Sequence, residues 1–342
     1  MKYPKVSIII LSWNRYDDIC ECINSVKKSD YPCFDIIVVD NGSKKNVVAD
    51  IEKNHKNVIL IKNSKNLGFT GGNNIGMRHA MSNGSDYVWL LNNDTIVDPN
   101  ALSGLIEVAE NNSHAGLLSP IIHYFSAPNR AQYYGSYFDW KNRRTKCIKS
   151  CDEVHWLNKQ DVALWGTALL IKRNIIEKIG YLENSYFAYW EDTEYSLRSL
   201  RAGYSNLIVP VAKIYHKHHY CNEEGEKVLP AHYFYYMTRN EYWLWRTHTK
   251  GLMKLLFIRK YIANTLRRIG HCKEMCLKEN VNACFDGLYD AFHNIRGERR
   301  HLKKPSSIIR TMLLKHPYLF ADIVDLNFKN ILLSLSIRKQ SG

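Results

Sequence analysis

Three unbroken apolar runs constrain the fold more than any other feature: VSIIIL at 6–11, DIIVVD at 35–40 and YVWLL at 87–91. A fourth, NVILI, lies at 57–61. Helical spacing marks the stretches between, at 17–28, 72–82 and 101–111. A strand without polar alternation must be buried on both faces. Strands of this kind alternating with helices predict an α/β fold, a mostly parallel sheet flanked by helices. Ligands of such sheets bind beyond the carboxyl ends of the strands. Each run ends in polar residues: Ser12-Trp13-Asn14, Asp40-Asn41-Gly42-Ser43 and Asn92-Asn93-Asp94. One crevice is expected to collect all three.

The residue types at these tips leave alternatives open. Asp40 either accepts a hydrogen bond from a nucleobase or caps the turn through Gly42 and Ser43. Asp94 either holds Mg²⁺ or Mn²⁺ together with phosphate oxygens or closes an Asx-turn. Two amides and a carboxylate exceed what a turn needs, which favours the metal. The loop NLGFTGGNNIG at 66–76 opens a helix. Gly68, Gly71 and Gly72 would let backbone approach a ligand, and the helix start would favour an anion. There is no GxxxxGK[ST], and no GxGxxG follows the first strand, so neither a P-loop nor a dinucleotide site is supported.

Beyond 116 the pattern changes. Aromatic, strand-like pieces occupy 133–140 and 162–171, a helix is expected at 193–202, and SNLIVP follows at 205–210. FAYWEDTEYSLR at 187–198 crowds Glu191, Asp192 and Glu194 beside Tyr189 and Trp190. Acidic residues suit a helix start, but adjacent carboxylates beside aromatics also separate in pKa and leave one as a base. His216 ends a later apolar segment and is either a metal ligand or a buried core histidine; His218 and His219 compete for the ligand role. A soft boundary at 222–230 divides a domain at 1–225 from a helical, aromatic and basic region at 226–342.

Lys and Arg total 47 against 33 Asp and Glu, a net charge of +14 that suits a phosphorylated ligand, a polyanion or an anionic membrane. The 9 cysteines are odd in number and form no CxxC. They read as small buried hydrophobes in a reducing, cytoplasmic compartment. The first apolar run is too short for a signal peptide, and none approaches a membrane span.

VSIIILSWNR, IIVVDNGS, NLGFTGGNNIG, WLLNNDT and WEDTEYSLR, in this order, resemble family 2 glycosyltransferases of the GT-A fold, over residues 5 to 250. The likeness is greatest to bacterial rhamnosyl- and galactofuranosyltransferases of surface polysaccharide synthesis. The resemblance implies that Ser12, Trp13 and Asn14 line the nucleotide and that Asp40 binds the base. Asn66, Gly68, Gly71, Gly72 and Asn73 would wrap the ribose and diphosphate side. Asn92, Asn93 and Asp94 stand at the DxD-like motif, with Asp94 and His216 as ligands of a divalent metal, Mn²⁺ or Mg²⁺. Asp192 matches the catalytic base, and Trp165, Gly166, Trp190 and Glu191 are expected to form or support the acceptor side. The motif departs from the family in carrying only one carboxylate, and Glu194 stands where aspartate is commoner.

The expected reaction is inverting transfer of a sugar from dTDP-rhamnose or a UDP-sugar to a glycan or lipid-linked acceptor, with Arg78 as a candidate aid to the diphosphate. The basic helices after 231 suggest peripheral contact with the inner face of the plasma membrane through 254–268. Nucleic acid is not expected as a partner, since no RRM or KH signature appears. A sugar-1-phosphate nucleotidyltransferase is the alternative chemistry, but a glycine-rich basic loop should then follow the first strand, where SWNRYDD stands.

Overall fold

A computed structural model describes residues 3–217, 229–299 and 308–324. The chain divides into two compact units, Met1–His219 and Tyr220–Gly342.

In the first unit, β1 (Val6–Ser12), α1 (Tyr16–Val26), β2 (Phe34–Asp40), α2 (Lys45–Asn54), β3 (Ile59–Lys62), α3 (Gly68–Ser82) and β4 (Tyr87–Asn92) alternate. The chain continues through β5 (Thr95–Val97), α4 (Ala101–Asn111), β6 (Ala115–Tyr124), β7 (Ala127–Tyr133), β8 (Ser136–Asp139) and β9 (Arg144–Cys147). It ends with α5 (Val154–Leu157), β10 (Val162–Ala163), β11 (Ala168–Lys172), α6 (Arg173–Ile179), α7 (Glu191–Arg201) and β12 (Ser205–His216). The main sheet runs β3-β2-β1-β4-β11-β6-β12-β5, with β7 paired to β6; β10, β8 and β9 form a small second sheet.

The apolar runs behave as their composition demands. Val6, Ile8, Ile9 and Ile10 of β1 and Ile37, Val38 and Val39 of β2 are fully buried. β1 pairs in parallel with both β2 and β4, and its register sets Ser12 beside Asp40 and Leu11 beside Asn92. The three polar tips therefore stand side by side. β11 then enters antiparallel between β4 and β6, so the sheet is mixed.

α3 starts at Gly68, not at 72 as its glycines suggest. Glycine disfavours helix, but here it permits close approach. A Cβ on Gly72 would lie 2.3 Å from Leu11 Cδ1, and one on Gly76 would lie 2.6 Å from Ile9 Cγ2. The helix thus lies directly on β1. Residues 162–171 are two strands broken at 164–167 rather than one. Cys22, Cys272 and Cys284 are buried, as expected, whereas Cys147, Cys151 and Cys276 are exposed; all eight described cysteines are free.

The second unit contains α8 (Ala231–His248), α9 (Gly251–Glu274), α10 (Lys278–Phe292) and α11 (Ile308–Lys315). Its interior holds a charge. Arg239 is fully buried and donates to Gly297 O at 2.6 Å and to Tyr235 Oη at 3.1 Å. Its guanidinium also lies 4.5 Å from the Trp243 ring centre. Tyr235 in turn donates to Asp290 at 2.6 Å, which answers the charge. Among the described residues, no helix is long and apolar enough to cross a membrane.

Candidate functional site

The loops after β1 and β2 are tied together. Asn14, at a left-handed φ of 57°, accepts from Lys44 N at 2.9 Å, and its own N–H donates to Ser43 Oγ at 2.8 Å. Trp13 between them is 53% exposed, free to offer its ring to a ligand. Of the two readings of Asp40, the structure displays the cap: its carboxylate accepts from Ser43 N at 3.2 and 3.3 Å. Ser12 Oγ is buried with no hydrogen-bond partner among the described residues.

Sequence reasoning passed over Asn41. It is 2% exposed and uses its whole amide. Its Nδ2 donates to Asn66 Oδ1 at 2.9 Å and Gly68 O at 3.1 Å, while its Oδ1 accepts from Leu67 N at 3.0 Å and Asn63 Nδ2 at 3.2 Å. Asn41 thus pins residues 63–68 to the tip of β2. The only signal was its place in DNGS. Asn66, expected against the ribose, braces this loop, since its Oδ1 also accepts from Gly68 N at 2.8 Å.

The glycine-rich segment packs largely against its own chain. Asn73, expected on the ribose and diphosphate side, is 1% exposed, and its Nδ2 donates to Phe69 O at 2.9 Å. A Cβ on Gly71 would meet Leu67 Cβ at 2.8 Å. At the start of α3, Thr70 N donates to Phe187 O at 3.2 Å and Gly68 N to Asn66 Oδ1 at 2.8 Å, so these two amides are already occupied. Arg78 lies further along α3, 4.8 Å from the Tyr181 ring centre.

At the tip of β4, Thr95 Oγ1 donates to Asn92 O at 2.7 Å and closes the turn carrying Asn93 and Asp94. β12 runs alongside β5 with His216 opposite Thr95. His216 Nε2 consequently lies 3.2 Å from Asp94 Oδ1. Its Nδ1 lies 2.9 Å from Gln132 Oε1, so an Nδ1–H donor leaves the Nε2 lone pair facing Asp94. In an octahedral site with bonds of about 2.1 Å, neighbouring ligands sit about 3 Å apart. The pair fits a divalent ion by that measure. Among the described residues, no three His, Cys, Asp or Glu side chains gather as a ready-made cluster, so the remaining ligands would come from elsewhere. His218 and His219 lie outside the described residues. Lys217 went unnoticed in the sequence; its N–H donates to Asp94 O at 2.9 Å and its Nζ pairs with Asp18 and Glu21.

The acidic cluster sits on a strained turn. Phe187 (φ 66°, ψ −57°) is the centre of a γ-turn of the rarer kind, closed by Ala188 N donating to Tyr186 O at 2.8 Å. Tyr189 and Trp190 follow at φ 65° and 72°. Three non-glycine residues in a left-handed region store about 1–3 kcal/mol each. Asp192 then accepts from Gly166 N at 2.8 Å, Thr193 N at 2.6 Å and Thr193 Oγ1 at 3.2 Å. Burial raises its pKa, and these donors hold the rise back. Glu191, 4% exposed, is pushed well above the usual range by burial and then by Asp192; its Oε2 has no hydrogen-bond partner among the described residues. Glu194 pairs with Arg198 at 2.8 Å, and Arg198 also donates to Ile179 O and Tyr181 O, so this carboxylate braces the helix.

The peptide run Gly166–Thr167 joins both halves of the site. Gly166 N holds Asp192, and Thr167 O accepts from Asn92 N at 2.9 Å. Trp165, just before it, stacks on Tyr133 with ring centres 4.1 Å apart. A Cβ on Gly166 would lie 3.1 Å from Phe69 Cζ, a tight contact, and 3.4 Å from Asp192 Cβ, so the backbone here runs close against both side chains.

An α/β sheet with polar tips and late C-terminal helices is the GT-A arrangement. It is shared with the mannosyltransferase PcManGT of Pyrobaculum calidifontis, solved with GDP-Man and Mn²⁺, at a TM-score of 0.53 and 15% identity, covering 94% of this chain and 81% of that one. The model of "Glycosyl transferase family 2" matches residues 7–180, half of the chain. The chain belongs to glycosyltransferase family 2 and is an enzyme of the hexosyltransferase class. It is 25% identical over 268 residues to the N-acetylglucosaminyl-diphospho-decaprenol L-rhamnosyltransferase of Mycobacterium tuberculosis, covering 68% of this chain and 85% of that one. It is 25% identical over 269 residues to the dTDP-rhamnosyl transferase RfbF of Shigella flexneri, covering 75% and 86%.

Proposed function

We propose that this chain is an inverting glycosyltransferase that moves a sugar from dTDP-rhamnose or a UDP-sugar to a glycan or lipid-linked acceptor of a cell-surface polysaccharide. The observation that carries the reading is the Gly166–Thr167 bridge, which fixes Asp192 relative to the strand tip bearing Asp94. Base and leaving-group side are thereby set by one short piece of backbone.

Ser12, Trp13 and Asn14 face the nucleotide, with Trp13 supplying an exposed ring and Asp40 rigidifying the turn beneath it. Asn92 and Asn93 contribute amides toward the diphosphate. Asp94 and His216 would hold a divalent ion, whose chemistry there is to neutralise the departing diphosphate. Asp192 takes the proton of the acceptor hydroxyl as that oxygen attacks the anomeric carbon. One base and one displacement invert the configuration. Burial raises the pKa of this carboxylate and so strengthens it as a proton acceptor, while its three donors favour the ionised form that a base needs. Trp165 and Trp190 flank the acceptor side, and Gly166 and Glu191 support the base.

The second unit supplies a peripheral contact with an anionic membrane on the cytoplasmic face. Leu252, Met253 and Leu255 are exposed at the start of α9, beside Lys250 and Lys254. The patch is narrower than 254–268, because Arg267 pairs with Asp322 and Arg268 with Glu241.

The test is thermal stabilisation by UDP-, dTDP- and GDP-sugars with and without Mn²⁺. A ligand at a hundredfold its Kd adds about 2.7 kcal/mol to the folded form. One nucleotide class should raise Tm, and Asp94→Asn should abolish the metal-dependent part. Asp192→Asn should keep the donor shift and lose transfer. Absence of any nucleotide-dependent shift would refute the reading.

A further inference from the structure

The small sheet bounds a cleft of about 380 Å³ that the transfer chemistry does not use. Its walls include Tyr137, Arg144, Lys146, Lys149, Glu153 and Trp156. Trp156 is 46% exposed, and Tyr137 meets it edge to face with ring centres 5.2 Å apart. The indole is thus propped while much of its surface stays open. β9 is the edge of the small sheet, so among the described residues its outer backbone groups pair with no strand.

Charge decides what such a cleft takes. Asp139 draws in Arg144 at 3.4 Å and Lys146 at 2.9 Å. Glu153 accepts from the Lys149 and Ser150 N–H groups at 3.1 and 3.2 Å. Three cations therefore face two carboxylates, and little net charge remains for a polyanion. An open aromatic ring amid many hydrogen-bonding groups and near neutrality suits a hydroxyl-rich, weakly charged ligand. We infer that this cleft is a distal subsite for the acceptor glycan, in which one sugar ring stacks on Trp156 while Lys146, Lys149 and the edge of β9 meet its hydroxyls.

The chain path places it within reach of the reacting end. Tyr137 pairs with Val162, and four residues later Gly166 N holds Asp192. Four residues of extended chain span at most about 14 Å. The subsite would therefore engage an oligosaccharide and leave a monosaccharide acceptor unaffected. The inference rests on the reading of the chain as a transferase to a glycan.

The experiment prints fragments of bacterial surface polysaccharide, from monosaccharide to hexasaccharide, on an array and probes it with full-length wild type, Trp156→Ala, Trp156→Phe and Lys146→Ala. Wild type should hold a subset of the longer fragments. Trp156→Ala should bind them about tenfold more weakly, the scale of one aromatic stacking contact, and Trp156→Phe should recover most of the binding. Lys146→Ala should weaken it less. The Tm shift with nucleotide sugar should be unchanged in all variants, which confirms their fold. Wild type that binds no fragment, or Trp156→Ala that binds the same fragments equally well, overturns the subsite. Loss of the nucleotide-sugar shift in wild type would instead overturn the transferase reading, whatever the array shows.

Discussion

Replacing Glu191 by glutamine should change the pH dependence of stability in a way that isolates one proton. In the fold, Glu191 is buried beside Asp192, and its pKa is raised well above the ordinary 4.5 by burial. The folded protein then holds a proton that the unfolded chain has released. The stability tied to that proton is fully present below the unfolded pKa and is lost as pH rises toward the folded one. The slope is about 1.4 kcal/mol per pH unit for one proton. A glutamine side chain cannot titrate, so the Glu191→Gln variant lacks this slope. Any constant cost of placing an amide there shifts Tm equally at every pH. For a unit of about 200 residues, 1 kcal/mol corresponds to roughly 2–4 °C. The Tm of Glu191→Gln minus that of wild type should therefore grow by up to about 3–6 °C per pH unit as pH rises above the ordinary carboxylate range, read by scanning fluorimetry or calorimetry. Asp192 and Glu194 are also raised by burial, but both proteins retain them, so their share cancels. A difference that stays flat over that rise would show Glu191 ionising as freely as in the unfolded chain and would refute the argument.

Other expectations follow from single contacts. Gly68→Ala puts a Cβ 2.4 Å from Phe187 O at a φ of 75°; it should lower Tm and cut transfer more than it cuts nucleotide binding, measured by kcat against donor-induced stabilisation. Asn41→Ala leaves four hydrogen-bonding groups without their amide partner and should destabilise the first unit by about 2–4 kcal/mol in urea unfolding. Arg239→Ala should destabilise the helical unit by about 3–5 kcal/mol, and Arg239→Lys should recover little, because an ammonium cannot reproduce the planar fork; loss of helical circular dichroism in urea checks both.

The parallel core was legible because Val6–Leu11, Phe34–Asp40 and Tyr87–Leu91 carry their burial in composition alone. The polar tips were legible for the same reason, as the points where apolar runs stop. β12 was legible only in pieces, as SNLIVP at 205–210 and a later apolar segment ending at His216, because Pro210 interrupts the pattern. The strand continues because its pairing with β6 shifts between Val209 and Lys213, where a missing N–H is tolerated. This continuation delivers His216 to Asp94; residue type marked each as a candidate ligand, but spacing along the chain could not pair residues so far apart. α2 was missed because Lys45–Asn54 is short and polar overall, although its few apolar residues keep a helical period. The glycines of α3 misled in the other direction: propensity argued for a loop, and contact with β1 required a helix. The cap on Asp40 is local and was one of its two readings, whereas the work of Asn41 depends on where the 63–68 loop returns, which local sequence does not encode.

The γ-turn at Phe187 has a consequence for engineering. Its carbonyl is held by Thr70 at the start of α3, and Asp192 follows five residues later. The segment carrying Asp192 is therefore not a portable module. A chimera that imported residues 184–195 from a relative to change acceptor preference would also need the matching 66–70 segment, with a bare position at 68. Swaps that respect only the boundaries of α7 should yield folded but slow enzymes, whereas paired swaps should inherit the new preference intact.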